Sequence, residues 1–378
     1  MHPTVIHKPA PCYPFQSLND DDERRYRTMI IAASEAVSGN PAPFTWVTAV
    51  SMAVFCAILW AIVGYMQTHP RASMWVWGLS MLTFPLWIWG PGRDIGLINW
   101  FSWAKILSVL IPLVIVGAMR VAVSEHRDGP VWRLLRNPEF LWFPYAILFL
   151  NIAEATLRDA QIGNYLNAAV GLGLCLTIPY SPRFWAFTGG RNAELVAYTT
   201  VAWNFLYTSW NLCFTFGGYP SQEEHFAGSI CILAVAEIYP LIKRRPELYI
   251  MARIYTLPVL MLVIGVYNIF PTVMPSDGWF DNTVWIVWGA ANFVLMVPYL
   301  FWHTWQLQTG KAFTSFRRGT ARQEFIDRHG AAVEQFVDLG RSLEPGGGRE
   351  RARRLRDDLG PVPAGPRTLT ATAADQAL

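Results

Sequence analysis

The chain has 378 residues, of which 53% are hydrophobic and only 15% are charged. Because soluble proteins carry about 25% charged residues, this composition excludes an ordinary soluble domain and indicates a lipid bilayer as the main partner. The formal net charge is only +3, and no nucleic-acid partner is predicted. The 18 Trp and 14 Tyr residues fit rings that settle at the membrane–water boundary.

A polar N-terminal tail over residues 1–42 is followed by a strongly apolar region at 43–308. An apolar stretch of about 18 or more residues is typical of a spanning helix, and lipid admits only helices or closed barrels. Strands are not expected, because the apolar stretches show no two-residue alternation. The sequence therefore predicts an all-α integral membrane protein with about nine transmembrane helices (8–10), at residues 44–66, 73–90, 97–118, 139–157, 163–180, 195–216, 225–242, 247–270 and 283–305.

The chain after the last span is polar and basic, since 12 of the 30 Lys and Arg residues lie beyond residue 309. Residues 309–344 are predicted to form a basic amphipathic surface segment, and residues 345–378 a disordered tail. Such a segment can anchor on anionic lipid headgroups.

Orientation is predicted from the basic residues between the spans, because Lys and Arg concentrate on the cytoplasmic side. Three connections and the C-terminal tail carry them, and in the nine-span arrangement all four lie on the same side. The connections at 217–224 and 271–282 contain no Lys or Arg. The N-terminus then lies outside, which the basic residues at 24–27 argue against, and one span more or fewer near the N-terminus restores agreement. The connecting basic residues are Arg120, Arg127, Arg133 and Arg136, then Arg183 and Arg191, then Lys243, Arg244 and Arg245.

Several spans contain ionisable or amide side chains. A charge at the bilayer centre costs about 2.5–3.5 kcal/mol on the insertion scale, so such groups are functional candidates. The candidates for a transport path or polar core are Lys105, Asn151, Glu154, Arg158, Thr200, Asn204, Tyr207, Asn211, Glu237, Arg253 and Asn292.

Two pairs of opposite charge fall at matched depths when 1.5 Å is counted per helical residue. Glu237 of span seven matches Arg253 of span eight, and Lys105 of span three matches Glu154 of span four. The pairs are predicted as inner and outer gates of a path lined by the polar face of span six. The alternatives are that they only hold helices together, or that Lys and Arg extend to the membrane surface.

An inverted repeat is a further prediction. Residues 104–117 read AKILSVLIPLVIVG and residues 252–265 read ARIYTLPVLMLVIG. The two segments cross the membrane in opposite directions in the nine-span arrangement, as in transporters built from inverted repeats, here four spans, a linking span and four more.

The stretches FPLWIWGPGRD, WAKILSV, LNIAEA, WNLCFTFGGYP and ARIYTLPVLM lie within the apolar region. In these stretches the chain resembles a family of bacterial multi-spanning membrane proteins filed as a domain of unknown function, over roughly residues 44–305. The resemblance implies a bacterial inner-membrane location, and it brings no known activity or site residue. The basic connections and tail described above predict a cytoplasmic C-terminus.

No cofactor or metal is predicted, because the chain has no HExxH, P-loop, GxGxxG or GxSxG motif and its 5 cysteines show no CxxC spacing. The leading hypothesis is a transporter of a small molecule or ion. The alternative is a membrane-embedded enzyme that acts on a lipid or lipid-linked substrate, with Glu154 or Glu237 as acid or base. A third possibility is a scaffold whose basic tail recruits a partner.

Overall fold

The computed structural model describes residues 43–89, 100–178, 185–188, 191–197, 199–217 and 225–308. The predicted N-terminal tail at 1–42 and the predicted C-terminal segments at 309–344 and 345–378 lie outside the described residues.

Helices dominate the described chain. In chain order they are α1 (Trp46–Thr68), α2 (Pro70–Ser80), α3 (Phe84–Trp89), α4 (Trp100–Glu125), α5 (Pro130–Arg136), α6 (Trp142–Ile162), α7 (Tyr165–Thr177), α8 (Val201–Gly217), α9 (Phe226–Ile242), α10 (Tyr249–Val266), α11 (Phe270–Val273) and α12 (Asn282–Gln308). Tighter 3₁₀ turns occur at Met81–Thr83, Pro138–Leu141 and Pro246–Leu248, and two short strands are β1 (Trp185–Phe187) and β2 (Leu195–Ala197).

The described residues form a helical membrane protein. Large apolar side chains such as those of Trp46, Leu82 and Phe301 are exposed, which suits contact with lipid. The count of nine spans, the inverted repeat and the side that each helix end faces stay predictions. Within the described ranges, five segments are long and apolar enough to cross a bilayer, namely Trp46–Thr68, Trp103–Glu125, Glu139–Ile162, Pro246–Val266 and Asn282–Trp305, and α7 and α9 are shorter apolar helices.

The predicted spans all contain helix, but the second span, at 73–90, is interrupted. Helix α2 ends at Ser80, a 3₁₀ turn follows, and α3 begins at Phe84. Pro85 is the second residue of α3. A proline suits the first turn of a helix, where its missing amide hydrogen is not needed, so Pro85 fits a new helix that starts at Phe84.

The expectation of a chain without strands is wrong for one short segment. Strands β1 and β2 form an antiparallel hairpin in which Trp185 faces Ala197 and Phe187 faces Leu195. The predicted sixth span, 195–216, therefore begins too early, since its first three residues are strand and α8 begins at Val201.

The hairpin is buried inside the protein. Trp185, Phe187 and the three residues of β2 are all buried, and β2 packs against α10 and the 3₁₀ turn before it. Non-helical backbone at membrane depth is tolerated only where protein or a water-filled cavity surrounds it. The hairpin therefore depends on the protein contacts that surround it.

Close helix packing depends on Gly117, where α4 crosses α2. A Cβ atom at this position would lie 2.8 Å from the backbone nitrogen and Cα of Met74, so only glycine fits. The α9–α10 connection is a tight turn in which Arg244 has a positive φ of 55°. The Arg245 amide donates to the Pro240 carbonyl at 2.8 Å, and the next helical turn begins at Pro246.

Candidate functional site

The predicted site residues do not gather at one place. They contribute to three groups, which we call the surface ion pair (Lys105, Asn151, Glu154), the central site (Thr208, Glu237, Tyr249, Arg253) and the amide relay (Asp159, Asn167, Ser209, Trp288, Asn292). A fourth group, the arginine hub, consists of Arg120 and the atoms to which it donates.

The surface ion pair lies on the outside of the bundle. Lys105 of α4 donates to Asn151 Oδ1 of α6 at 3.3 Å and forms a salt bridge with Glu154. The Glu154 side chain is 49% exposed and lies between the exposed Leu150 and Leu157 on α6. The predicted partners therefore meet, but on a face that apolar neighbours assign to lipid, so their role as a gate stays a prediction.

The central site joins α8, α9 and α10. Thr208 Oγ1 donates to Glu237 Oε2 at 2.8 Å and lies 2.7 Å from the Tyr249 hydroxyl. Because a threonine hydroxyl has one proton and that proton goes to the carboxylate, Tyr249 donates to Thr208. A half-buried carboxylate thus receives its hydrogen bond through two hydroxyl groups in series.

Arg253 of α10 lies in the same neighbourhood without pairing to the carboxylate. Its side chain is buried, and no partner is found for Nε or Nη1. No salt bridge within 4.0 Å joins it to Glu237, and both residues lie in the described part of the chain. Tyr249 lies about one helical turn before Arg253 on α10, and its hydroxyl is 2.7 Å from Thr208, which donates to Glu237. Matched depth therefore exists without an ion pair.

The predicted polar face of α8 is mostly taken up by local contacts. Thr200 caps the helix, since its Oγ1 accepts from the third amide of α8 at 3.1 Å. Asn204 Nδ2 donates to the Pro246 carbonyl at 3.2 Å, but its buried Oδ1 has no partner. Tyr207 is buried among aromatic rings, whereas Asn211 is half-buried.

The amide relay contains Asn292, which the sequence showed as a single amide. Asn292 Nδ2 donates to Asn167 Oδ1 of α7 at 3.0 Å, and Asn167 Nδ2 donates to Asp159 Oδ2 of α6 at 2.7 Å. Asn292 Oδ1 accepts from Ser209 of α8 at 2.6 Å. The relay thus links four helices and ends on a fully buried carboxyl group, next to the half-buried Arg158.

The arginine hub differs from the sequence prediction, which places Arg120 in the connection after span three. The structure continues α4 to Glu125 and buries Arg120 completely. All five guanidinium donors are used, as the chemistry of the group allows. The acceptors are the carbonyls of Met66 (2.6 Å), Gln67 (2.6 Å), Asn192 (2.8 Å) and Ala193 (2.9 Å) and the Tyr255 hydroxyl (2.7 Å).

An ion-pair network continues from the hub. Gln67 Nε2 donates to Glu194 Oε1 at 2.5 Å, and Gln67 Oε1 accepts from Tyr239. Arg245 bridges Glu194 at 2.6 Å and Glu247 at 3.1 Å. Burial alone would lower the pKa of Arg245, but the hydrogen bond from Arg245 to Glu194 and the charges of both carboxylates raise it. The hub and this network tie the hairpin to the ends of α1, α4 and α9.

Two signals in the sequence could have exposed the missed residues. A helix commonly ends at a glycine, so a helix continued as far as Gly163 includes Asp159. In the structure Gly163 does end α6, with a left-handed φ of 97°. The apolar stretch after Arg120 likewise supports a longer α4. Glu194 had no comparable signal, because its partner Arg245 lies 51 residues further along the chain.

Among the described residues, no group of three or more His, Cys, Asp or Glu side chains is placed to hold a metal ion. Comparison with protein-family models, with curated proteins and with solved structures finds no match to the chain. The resemblance to a bacterial membrane-protein family therefore stays a prediction, and function has to be argued from the polar groups themselves.

Proposed function

We propose that this protein is a membrane transporter for a small anionic solute or ion, and that the central site binds it. The observation that carries the proposal is the contrast between two buried arginines. Arg120 uses all five of its donors within the protein, whereas Arg253 leaves Nε and Nη1 without partners. A saturated guanidinium stabilises structure, and an unsaturated one is available to a ligand.

The charge of Arg253 explains why an anion is the expected ligand. A guanidinium stays protonated in proteins, and an arginine at the bilayer centre costs about 2.5–3.5 kcal/mol on the insertion scale. Glu237 does not offset this cost directly, because its hydrogen bond comes from Thr208. Guanidinium groups bind carboxylate and phosphate with two parallel hydrogen bonds. The site therefore favours a solute that bears one of these groups.

The polar face of α8 offers a second contact to such a solute. Helices α8 and α10 run in the same direction, because the contacts of Asn204 with Pro246 and of Thr208 with Tyr249 follow in the same order. Asn211 lies three residues beyond Thr208, a rise of about 4.5 Å, and Arg253 lies four residues beyond Tyr249, a rise of about 6 Å. Asn211, which is half-buried, and Arg253 are therefore at nearly the same level along their helices.

The test is uptake by the purified full chain in liposomes, with labelled phosphate, monocarboxylates and dicarboxylates as probes. We expect uptake of at least one anion, its loss in Arg253→Gln and partial retention in Arg253→Lys. Arg133→Gln on the exposed face of α5 is the matched control and should leave uptake unchanged. Equal uptake by Arg253→Gln and the natural chain, or no uptake of any anion in the panel, contradicts the proposal.

Stability gives an independent measurement on the same residue. If the Arg253 charge is compensated only when a ligand binds, Arg253→Leu removes an uncompensated charge from the ligand-free protein. In the absence of anions, this variant should raise the free energy of unfolding by up to about 3 kcal/mol. A lower stability of this variant shows instead that the guanidinium serves the fold.

The surface ion pair favours a second candidate function, a membrane-embedded enzyme acting on a lipid. Lys105 and Glu154 face the lipid side of the bundle with 28% and 49% of their side chains exposed, so a headgroup could reach them. Turnover of extracted lipids by the purified protein, lost in Glu154→Gln and kept in Arg253→Gln, would support the enzyme and contradict the transporter.

A further inference from the structure

The amide relay has a fixed direction of donation. At one end the indole nitrogen of Trp288 donates to Ser209 Oγ at 3.0 Å, and an indole N–H can only donate. Ser209 then donates to Asn292 Oδ1, which leaves the Asn292 amide nitrogen to donate to Asn167 and the Asn167 nitrogen to donate to Asp159. Every link is satisfied only if Asp159 Oδ2 accepts.

The other oxygen of the same carboxyl group has no partner. Asp159 is completely buried, and no hydrogen-bond partner is found for Oδ1. The Trp210 indole nitrogen is also buried without a partner, and the Trp210 carbonyl accepts at 3.3 Å from the same Asn167 nitrogen that donates to Asp159. A buried donor and a buried acceptor beside the relay are therefore both unused.

We propose that Asp159 is a proton-binding site and that the proton resides on Oδ1. With the proton bound, the carboxyl group is neutral, Oδ2 accepts from the relay, and the Trp210 N–H is unused, as the structure shows. Release breaks the Oδ1–H bond and transfers the proton to water. Trp210 Nε1 then donates to the carboxylate oxygen in place of the lost proton.

The position of Asp159 gives such a proton a short route. It lies three residues before α6 ends at Ile162, where Gly163 and Asn164 turn the chain into α7. Asn164 caps α7 through the amide of Asn167 at 3.2 Å, and Gly289 of α12 fits only because it has no side chain against Asn164. The relay thus stays fixed while the carboxyl group sits near a helix end.

The charged and titratable groups around Asp159 are few in the described chain. On α6 itself they are Arg158 and Glu154, which pairs with Lys105 of α4. The α7 residue Tyr165 is exposed, and α8 contributes the buried Cys213, whose sulfur accepts from Asn164 Nδ2 at 3.7 Å. Helix α12 faces the site with the amide of Asn292. Among the described residues, no Lys, Arg or His forms a salt bridge with Asp159, which favours a neutral, protonated carboxyl group.

Infrared difference spectroscopy of the reconstituted full chain tests the site without any transport assay. We expect a carboxylic-acid C=O band from a buried group at low pH that disappears at high pH and shifts in heavy water. Asp159→Asn should remove this band, whereas Asp277→Asn, at an exposed turn, should leave it. A band unchanged in Asp159→Asn, or absent from the natural chain at every pH, overturns the proposal.

A second variant covers the case in which Asp159→Asn does not fold. Trp210→Phe removes the N–H donor that stabilises the carboxylate after the proton has left. The carboxylic-acid band of this variant should therefore persist to higher pH than that of the natural chain. The same pH dependence in both proteins contradicts the role of Trp210. A role of this proton in driving solute movement rests on the transporter proposed above. The infrared band of Asp159 does not depend on transport, so the proton site and the transporter can be refuted separately.

Discussion

Replacing Arg120 with methionine should be among the most damaging substitutions in this protein. The change keeps an unbranched side chain but removes all five donors of the arginine hub. Side-chain hydrogen bonds in membrane proteins contribute about 0.6 kcal/mol each on average, and about 1–2 kcal/mol in model peptides. At about 0.6–1 kcal/mol for each of the five bonds, Arg120→Met should lower the free energy of unfolding by about 3–5 kcal/mol.

The assay is unfolding of purified protein in mixed micelles with increasing denaturing detergent. Arg120→Lys keeps the charge but places three donors on a single nitrogen, so it should still lose at least about 2 kcal/mol. Arg133→Met on the exposed face of α5 is the control and should change stability by less than about 0.5 kcal/mol. If Arg120→Met falls within about 1 kcal/mol of the natural chain, the hub does not stabilise the fold and the argument from its five contacts is refuted.

Three further predictions concern packing and the ion-pair network. Gly117→Ala places a Cβ 2.8 Å from the Met74 backbone and should lower the free energy of unfolding by about 1–3 kcal/mol in the same assay. Gly78→Ala in α2 is the control, since its Cβ meets nothing within 4 Å, and it should be neutral or stabilising. Equal effects of the two variants would contradict the α2–α4 packing. Glu194→Gln leaves Arg245 without its closest carboxylate and should lower the free energy of unfolding by about 1–3 kcal/mol. In a double-mutant cycle, this loss should be smaller when Glu194→Gln is introduced into a chain that already carries Arg245→Gln. The Cys231 thiol of α9 donates to the Met52 carbonyl of α1 at 3.7 Å, and Cys56 lies one helical turn further along α1. Oxidation with copper phenanthroline should therefore cross-link Cys56 to Cys231 within one chain, and the Cys56→Ser variant should give no such product.

The helices could be predicted from the sequence because apolar length alone determines which segments prefer lipid. Span seven at 225–242 matches α9 (Phe226–Ile242) almost residue for residue. The same reasoning ends spans three and four at residues 118 and 157, so Arg120 and Asp159 fall just outside them, although each belongs to its helix. A hydropathy pattern does not reveal that a charge is neutralised by partners from elsewhere in the chain.

Contacts within the candidate site were predicted only in part, for a geometric reason. Counting residues gives depth, but side chains also turn by about 100° per residue around the helix axis. Lys105 and Glu154 match in both depth and direction, whereas Glu237 turns towards Thr208 and leaves Arg253 without it. The partners of Asn292 lie on α7 and α8, 125 and 83 residues away, and no local pattern points to them.

The buried hairpin between β1 and β2 has a consequence for how the chain is assembled. Its carbonyls at Asn192 and Ala193 depend on Arg120, which is synthesised earlier, but Glu194 depends on Arg245, which emerges 51 residues later. We expect the translocating chain to hold this segment in water until α9 and its following turn arrive. A nascent chain halted before Arg245 should then expose a cysteine introduced by Val196→Cys to a water-soluble maleimide, and the finished protein should protect it, because Val196 is buried. Protection in both would mean that the hairpin is buried without its partner. We therefore expect the hairpin to be enclosed late, after the helices around it have formed.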